Sequence, residues 1–452
     1  MVCIWSKRLG RFGCAAVCLW MVVGSQAPAR AGEDRSLHRR ANEALKLQRS
    51  ELVQVSIDRR PEVAQTVALP IGGRRLVLDL WPHSVRADGY AVLAPGADGA
   101  LWSVAPEPVR TLRGTVREDG GTVVGSVTAA GLTARVRLSE GRVFWIEPLA
   151  GRVPGATPAD HVVFADTDAV ADGPTLAGEL GVDGGGIVPP HPRGGSMGTT
   201  CVAELGVDAD VEFFQRWGLA GAQDRINLFI NTINLQYEQE VGITHAISVL
   251  VIRTVEPDPY SQTDCALLLD ELRQTWLMQP PGPFDLAFLF TGKVLDAPLA
   301  LGCFSATQGA ICTPDAFLVV QSEGLPFLCG TDLIAHELGH LWGAMHCTTQ
   351  VSSTMNTPLQ CANTFLGCTP DSTALITAFR DQVPCLDCAC AAPADGDMDG
   401  DGLVNGSDVR GFVDAVVGGP GLPGLVCHGD FNGDGAVSLP DLPAMVMVLL
   451  AP

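Results

Sequence analysis

Eleven consecutive residues, His336 to His346, hold the densest chemistry in the chain. His336 and His340 lie four apart, so a helix sets both imidazoles on one face, one turn above the other. Glu337 follows the first of them and stands where a general base can act on a water at a metal ion. Gly343 can take positive φ, which ends the helix and swings His346 round as a third nitrogen donor. Three imidazoles leave the fourth tetrahedral position of a zinc ion open, the mark of a catalytic rather than a structural site. An amphipathic helix with incidental histidines is the plain alternative, but all five positions of the H-E-x-x-H-x-x-G-x-x-H pattern are filled. The run predicts one zinc held by His336, His340 and His346, with Glu337 as the base.

A second constellation lies near the C-terminal end. Asp397, Asp399, Asp401, Leu403, Asn405 and Asp408 follow the spacing of a twelve-residue calcium loop, and Asp430, Asn432, Asp434, Ala436, Ser438 and Asp441 repeat it. In each, side-chain oxygens occupy positions 1, 3, 5, 9 and 12, and the carbonyls of Leu403 and Ala436 fill position 7. Calcium takes six to eight hard oxygen ligands, so two such loops in register predict two calcium ions rather than Asp-rich solvated turns.

The elements that must position these groups can be read from periodicity. Residues 32–174 contain no cysteine and alternate like strands, as at Arg75 to Leu80 and Leu132 to Leu138, with Gly-rich turns between; a small β domain fits. Residues 175–200 turn to Gly and Pro and read as a linker suited to proteolytic processing. Residues 201–390 read as αβ: a strand over 202–211, an amphipathic helix over 222–241, a strand over 246–253, a helix over 264–278, and strands over 284–291 and 316–321. Thr331-Asp332 marks the expected start of the zinc helix, with Asp332 as its cap. Residues 391–452 form the calcium-loop module.

The whole chain narrows the function. Its 452 residues carry 29 Lys+Arg against 50 Asp+Glu, a net charge of −21 with no basic run, which excludes a nucleic-acid partner. Apolar residues make up 47% and charged ones 17%, enough for ordinary cores. Lys7, Arg8 and Arg11 precede an apolar stretch of about a dozen residues, and Ala29-Arg30-Ala31 supplies a cleavage signal, so residues 1–31 read as a signal peptide. The stretch is too short to span a bilayer comfortably, and no transmembrane segment is expected elsewhere. Three of fifteen cysteines fall in that leader; the other twelve suggest up to six disulfides of unassigned pairing in a secreted, extracellular chain. Cys385-x-x-Cys388-x-Cys390 reads as bridging cysteines, with a metal cluster as the less favoured alternative.

With these residues in view, the middle of the chain resembles a metzincin zinc metallopeptidase, most closely the reprolysin-like (adamalysin-related) group. Asp332 to His340 is similar to that family's zinc helix, and Ser353-Thr354-Met355-Asn356 matches its methionine turn, implying that Met355 supports the base of the site. The resemblance implies an α/β (α+β) catalytic domain. It also implies that the strand from Phe317 to Gln321 is the edge strand along which an extended substrate lies. Residues 32–174 resemble a reprolysin propeptide on Arg113 to Val116, Gly131 to Ala134 and Phe144 to Leu149, which implies a zymogen with a β-rich prodomain. Cys347 stands where the family often has Asp. Residues 32–200 also lack the cysteine that commonly silences the zinc, so inhibition would have to come from filling the cleft. The last sixty residues are similar to a type I dockerin, a small all-α module of paired calcium loops. That likeness implies a cohesin-like or cell-surface partner, although loop positions 10 and 11 hold Gly406-Ser407 and Leu439-Pro440. Together these features predict a secreted zinc endopeptidase acting on protein or peptide substrates. The alternatives are a catalytically idle metzincin-fold scaffold dependent on calcium, and a zinc enzyme acting on small amides or esters.

Overall fold

The computed structural model describes residues 28–60, 62–169, 199–296, 302–304, 309–322, 325–383, 385–390, 394–398, 403–418, 423–434 and 436–450. Residues 1–27, most of the expected leader, and 170–198, most of the expected linker, lie outside them.

Helix α1 (Pro28–Leu45) leads into strands β1 (Glu51–Gln54), β2 (Gln65–Ile71), β3 (Arg74–Pro82), β4 (Arg86–Pro95) and β5 (Leu101–Val104). Then come β6 (Thr111–Val116), β7 (Thr122–Thr128), β8 (Gly131–Arg137), β9 (Val143–Pro148) and β10 (Asp160–Ala165). Eight of these ten strands pair antiparallel in the order β1-β10-β9-β8-β7-β6-β3-β2, which gives the expected β-rich N-terminal region. Val67, Leu69 and Leu78 fill its core from alternate positions of β2 and β3, whereas β7–β10, with Leu132 and Val136 on β8, are buried along nearly their whole length.

The following region runs β11 (Thr199–Ala209), α2 (Val211–Glu240), β12 (Ile243–Ile252), α3 (Cys265–Met278), β13 (Leu286–Phe290), β14 (Gly302–Phe304), β15 (Phe317–Val320), α4 (Phe327–Leu341), α5 (Ser372–Arg380) and β16 (Asp387–Cys390). Its sheet order is β14-β15-β13-β11-β12-β4-β5, with β16 antiparallel to the first residues of β11. Strands β11, β12, β13 and β15 run parallel, and apolar runs such as Leu286–Phe290 are buried along their whole length, as sheets covered on both faces require. Asp264 caps α3 by accepting from Leu267 N at 3.1 Å.

Two features differ from expectation. The sheet does not stop at residue 201: β4 pairs parallel with β12 and β5 pairs with β4, so residues 86–104 complete a sheet otherwise built from the second half of the chain. Helix α2 is interrupted at Gly218 (φ +66°), and its long second part is not amphipathic; every residue from Ile226 to Tyr237 is buried. A helix covered all round needs partners on both sides. One is the sheet of β11–β15; the other is the N-terminal β region.

Beyond residue 394, α6 (Asp408–Gly418), α7 (Pro423–Gly429) and α8 (Leu442–Leu449) gather around Met398, Phe412, Ala415, Val437 and Met445. Pro443 falls in the opening turn of α8, where a missing N–H costs nothing.

Candidate metal centre

Helix α4 carries His336 and His340. It starts at Phe327, earlier than expected, with Pro326 ahead of it, so Thr331 and Asp332 sit inside the helix and Asp332 is not its cap. The reason is visible in what Asp332 binds. Its carboxylate accepts Thr354 Oγ1 at 2.6 Å, Asn363 N at 2.8 Å and Ala362 N at 2.8 Å, tying the helix to the turn beneath it. Burial pushes its carboxyl above the ordinary value, opposed by these three donors.

The helix ends at Trp342, and Gly343 (φ +87°) reverses the chain. Its N–H donates to the His340 carbonyl at 2.9 Å, and Ala344 N donates to the Gly339 carbonyl at 2.9 Å. This turn brings His346 back, and its ring lies 4.9 Å from that of His340 and 5.5 Å from that of His336. One donor nitrogen from each of the three rings lies within 4.8 Å of the other two.

The orientation of the rings decides whether they suit a metal. His336 Nδ1 lies 2.6 Å from the Thr354 carbonyl, and His340 Nδ1 lies 2.8 Å from the Ala344 carbonyl. A carbonyl oxygen only accepts, so both Nδ1 atoms carry the proton, and each Nε2 of a neutral ring turns its lone pair inward. The two Nε2 atoms are 3.2 Å apart. Two lone pairs at that separation repel unless a cation lies between them, and a backbone carbonyl on the far nitrogen is the usual support of a metal-bound imidazole. The donor set therefore fits a zinc ion.

Glu337 is buried beside this cluster, and Gly302 of β14 packs directly on it. A Cβ at Gly302 would lie 2.8 Å from Glu337 Oε1, so only glycine fits there without displacing the carboxylate. Phe304, two residues along, stacks on His340 with ring centres 4.5 Å apart. These two residues, which carry no motif, were missed by the sequence reading. So was the strand that holds them: β14, not β15, ends the sheet among the described residues, because β14 pairs antiparallel outside β15. The sheet edge expected at 317–321 therefore lies at 302–304.

Met355 lies fully buried under the helix, and a Cβ on Gly339 would meet its Sδ at 2.7 Å. Ser353 N donates to Asn356 Oδ1 at 2.5 Å and Asn356 N to the Ser353 carbonyl at 3.1 Å, closing the turn. Cys347, at the position noted above, instead bonds Cys368 and donates its N–H to the Met355 carbonyl at 2.8 Å. Cys329 of α4 bonds Cys361 in the following loop. Cys385 and Cys388 go to separate partners, Cys312 and Cys201, which favours bridges over a cysteine metal cluster. Cys265–Cys303 anchors β14 to α3, and Cys427 is disulfide-bonded too.

Behind the helix, fully buried His245 donates from Nδ1 to Asn234 Oδ1 at 2.9 Å, and its Nε2 accepts Trp342 Nε1 at 3.1 Å. Desolvation brings its pKa down to about 3, so it stays a neutral spacer for the last turn of α4.

Of the two loops expected to bind calcium, Asp399 and Asp401 of the first lie outside the described residues. In the second, Asp430 Oδ1 accepts Gly433 N at 2.8 Å and Asp434 N at 3.1 Å, while Asp441 reaches back to Asn432 N at 3.0 Å and to Ser438 N at 2.9 Å. In the first, Asp408 Oδ2 accepts Asn405 N at 2.7 Å.

With this geometry in hand, comparisons with known proteins can be set beside it. Residues 199–379 match the family Reprolysin_5, described as Metallo-peptidase family M12. That span is of mixed α/β build and is similar to a metallopeptidase domain. Among solved structures, the chain is similar to metalloproteinase-II from Bacteroides fragilis at 11% identity, over 70% of this chain and 91% of that one, with a TM-score of 0.41. No curated protein matches. Among the described residues no helix is long and apolar enough to cross a membrane.

Proposed function

We propose that the chain is a secreted, zinc-dependent endopeptidase of the metzincin type, with His336, His340 and His346 holding the metal. The observation that carries this reading is the pair of Nδ1–carbonyl contacts, which aims both Nε2 atoms at one point beside a buried carboxylate. Zinc held by these three residues would supply Lewis acidity and an acidified water. Glu337, held against Gly302, takes the proton of the attacking water and passes it to the leaving amine. Strand β14 offers its outer edge to an extended peptide, main chain to main chain, and Phe304 keeps the His340 ring in place beneath it. Met355 and the Asp332 network fix the floor on which these groups stand.

We further read residues 1–31 as a signal peptide and 32–174 as the β domain of a zymogen. Residues 175–200 would then be the segment in which maturation cuts, with 201–390 as the peptidase and 391–452 as a dockerin-like module. The loop–helix alternation and the reach of Asp441 across its loop support calcium at Asp430, Asn432, Asp434, Ala436, Ser438 and Asp441. Spacing alone supports it at Asp397, Asp399, Asp401, Leu403, Asn405 and Asp408. A cohesin-like or cell-surface partner is the occupant that this module suggests.

A casein digest tests the function. Cleavage should stop with a zinc chelator and return on zinc addition; a protein that loads zinc yet cuts no casein or peptide is instead an idle scaffold of the same fold.

A further inference from the structure

The N-terminal β region is not laid on the peptidase-type domain as a lid; it is built into it. Strand β4 continues the sheet at β12, pairing Ala91, Val92 and Leu93 with Val249, Leu250 and Val251, and Ile247 N donates to the Val85 carbonyl at 2.8 Å. Without β4, an apolar strand buried from Ile247 to Ile252 would become an unpaired edge, the feature that folded proteins most consistently cover.

A second contact runs along α2. Gln223 accepts Glu107 N at 2.9 Å. Asn231 donates to the carbonyls of Leu112 and Gly125 at 3.1 and 3.0 Å, and accepts Arg113 Nε at 2.8 Å. Arg113 also pairs with Glu238 at 3.0 Å. Fully buried Trp145 packs edge-on against Phe327, the first residue of α4, at 5.9 Å. Residues of both halves form one continuous core.

A third contact reaches the site. Buried Arg135 of β8 donates from Nη2 to the Asn363 carbonyl at 2.9 Å. Asn363 N–H binds Asp332, Asp332 binds Thr354 Oγ1, and the Thr354 carbonyl holds His336 Nδ1. Cys361 and Asn363 both take positive φ, a conformation unfavourable to side chains that persists only when neighbours over-determine it. Arg135 is one of those neighbours.

From these contacts we infer that the N-terminal β domain is a permanent subunit of the enzyme, staying bound after the 175–200 segment is hydrolysed, with Arg135 as a positioning residue for His336. The role of His336 as a ligand rests on the function proposed above; the retention of the domain does not. Maturation on this account changes the covalent link and leaves the sheet whole.

The test uses the full chain carrying Glu337→Gln, with the recognition sequence of a site-specific protease inserted between 184 and 186. After cutting, both fragments should elute together at the size of the uncut protein in native buffer and separate only in denaturant. Fragments that part in native buffer overturn the inference. In the uncut chain, Arg135→Met should weaken zinc binding about tenfold in chelator competition, and Arg135→Lys should recover most of the loss. A zinc affinity unmoved by Arg135→Met overturns the positioning role. Co-elution of the Glu337→Gln fragments alongside a zinc-loaded parent, with Glu337 intact, that cleaves no peptide would sink the function and leave the subunit standing, so the two failures are distinguishable.

Discussion

At the scale of single residues, the site depends on groups that have no reactive side chain. The carbonyls of Thr354 and Ala344 set the tautomers of His336 and His340, and the missing Cβ of Gly302 leaves room for Glu337. Replacing Gly302 by Ala puts a methyl 2.8 Å from the carboxylate oxygen, so Glu337 must move while the histidines need not. We expect kcat to fall by about a hundredfold with zinc content unchanged, since displacing a catalytic group by about an ångström costs that much. Steady-state kinetics with metal analysis will show it; an active Gly302→Ala enzyme would mean that the close packing has no catalytic role. The histidines, Glu337 and Gly343 were legible in the sequence because spacing alone specifies them. Gly302 and the two carbonyls were not, because a backbone contact imposes no residue type that a single sequence displays.

At the scale of elements, α4 is pinned from three sides: Asp332 to the loop at 362–363, Cys329 to Cys361, and Gly339 to Met355. Gly339→Ala would drive a methyl to 2.7 Å from the Met355 sulfur. Overpacking of this kind costs about 1–3 kcal/mol, to be read from the denaturant midpoint, and unchanged stability would mean that Met355 is free to repack. Strand and helix types over 201–321 followed from hydrophobic period. The errors came where tertiary partners decide. Asp332 resembles a cap but binds a distant loop. The helix over 222–241 reads as amphipathic, but its Gln223, Asn227 and Asn231 hydrogen-bond the N-terminal region. The resemblance made the strand at 317–321 an edge, and β14, which covers it, is only three residues long.

At the scale of the whole molecule, one sheet and one core join segments more than a hundred residues apart, which no local pattern announces. Such a fold keeps neutral groups buried where pH can act on them. His245 has its folded-state pKa depressed from 6.5 to about 3. The unfolded chain therefore binds a proton that the folded one refuses, and stability is lost as pH falls from 6.5 toward 3, by up to about 1.4 kcal/mol per pH unit. Asp210, raised to about 6 by burial, acts in the opposite sense: the stability it lends is full below its ordinary value and lost as pH rises through 6. Between pH 6.5 and 5, denaturation of His245→Gln should show a slope smaller by up to one proton than the parent; equal slopes would contradict a neutral buried His245.

The central claim is that three imidazoles hold zinc and that Glu337 supplies the proton transfer. The most direct measurement compares the parent and Glu337→Gln for bound zinc and for peptide hydrolysis in the same preparation. The account predicts one zinc per chain in both, with hydrolysis reduced by about 10²–10⁴-fold in the variant. Full hydrolysis by Glu337→Gln, or a folded parent that takes up no zinc, would contradict it.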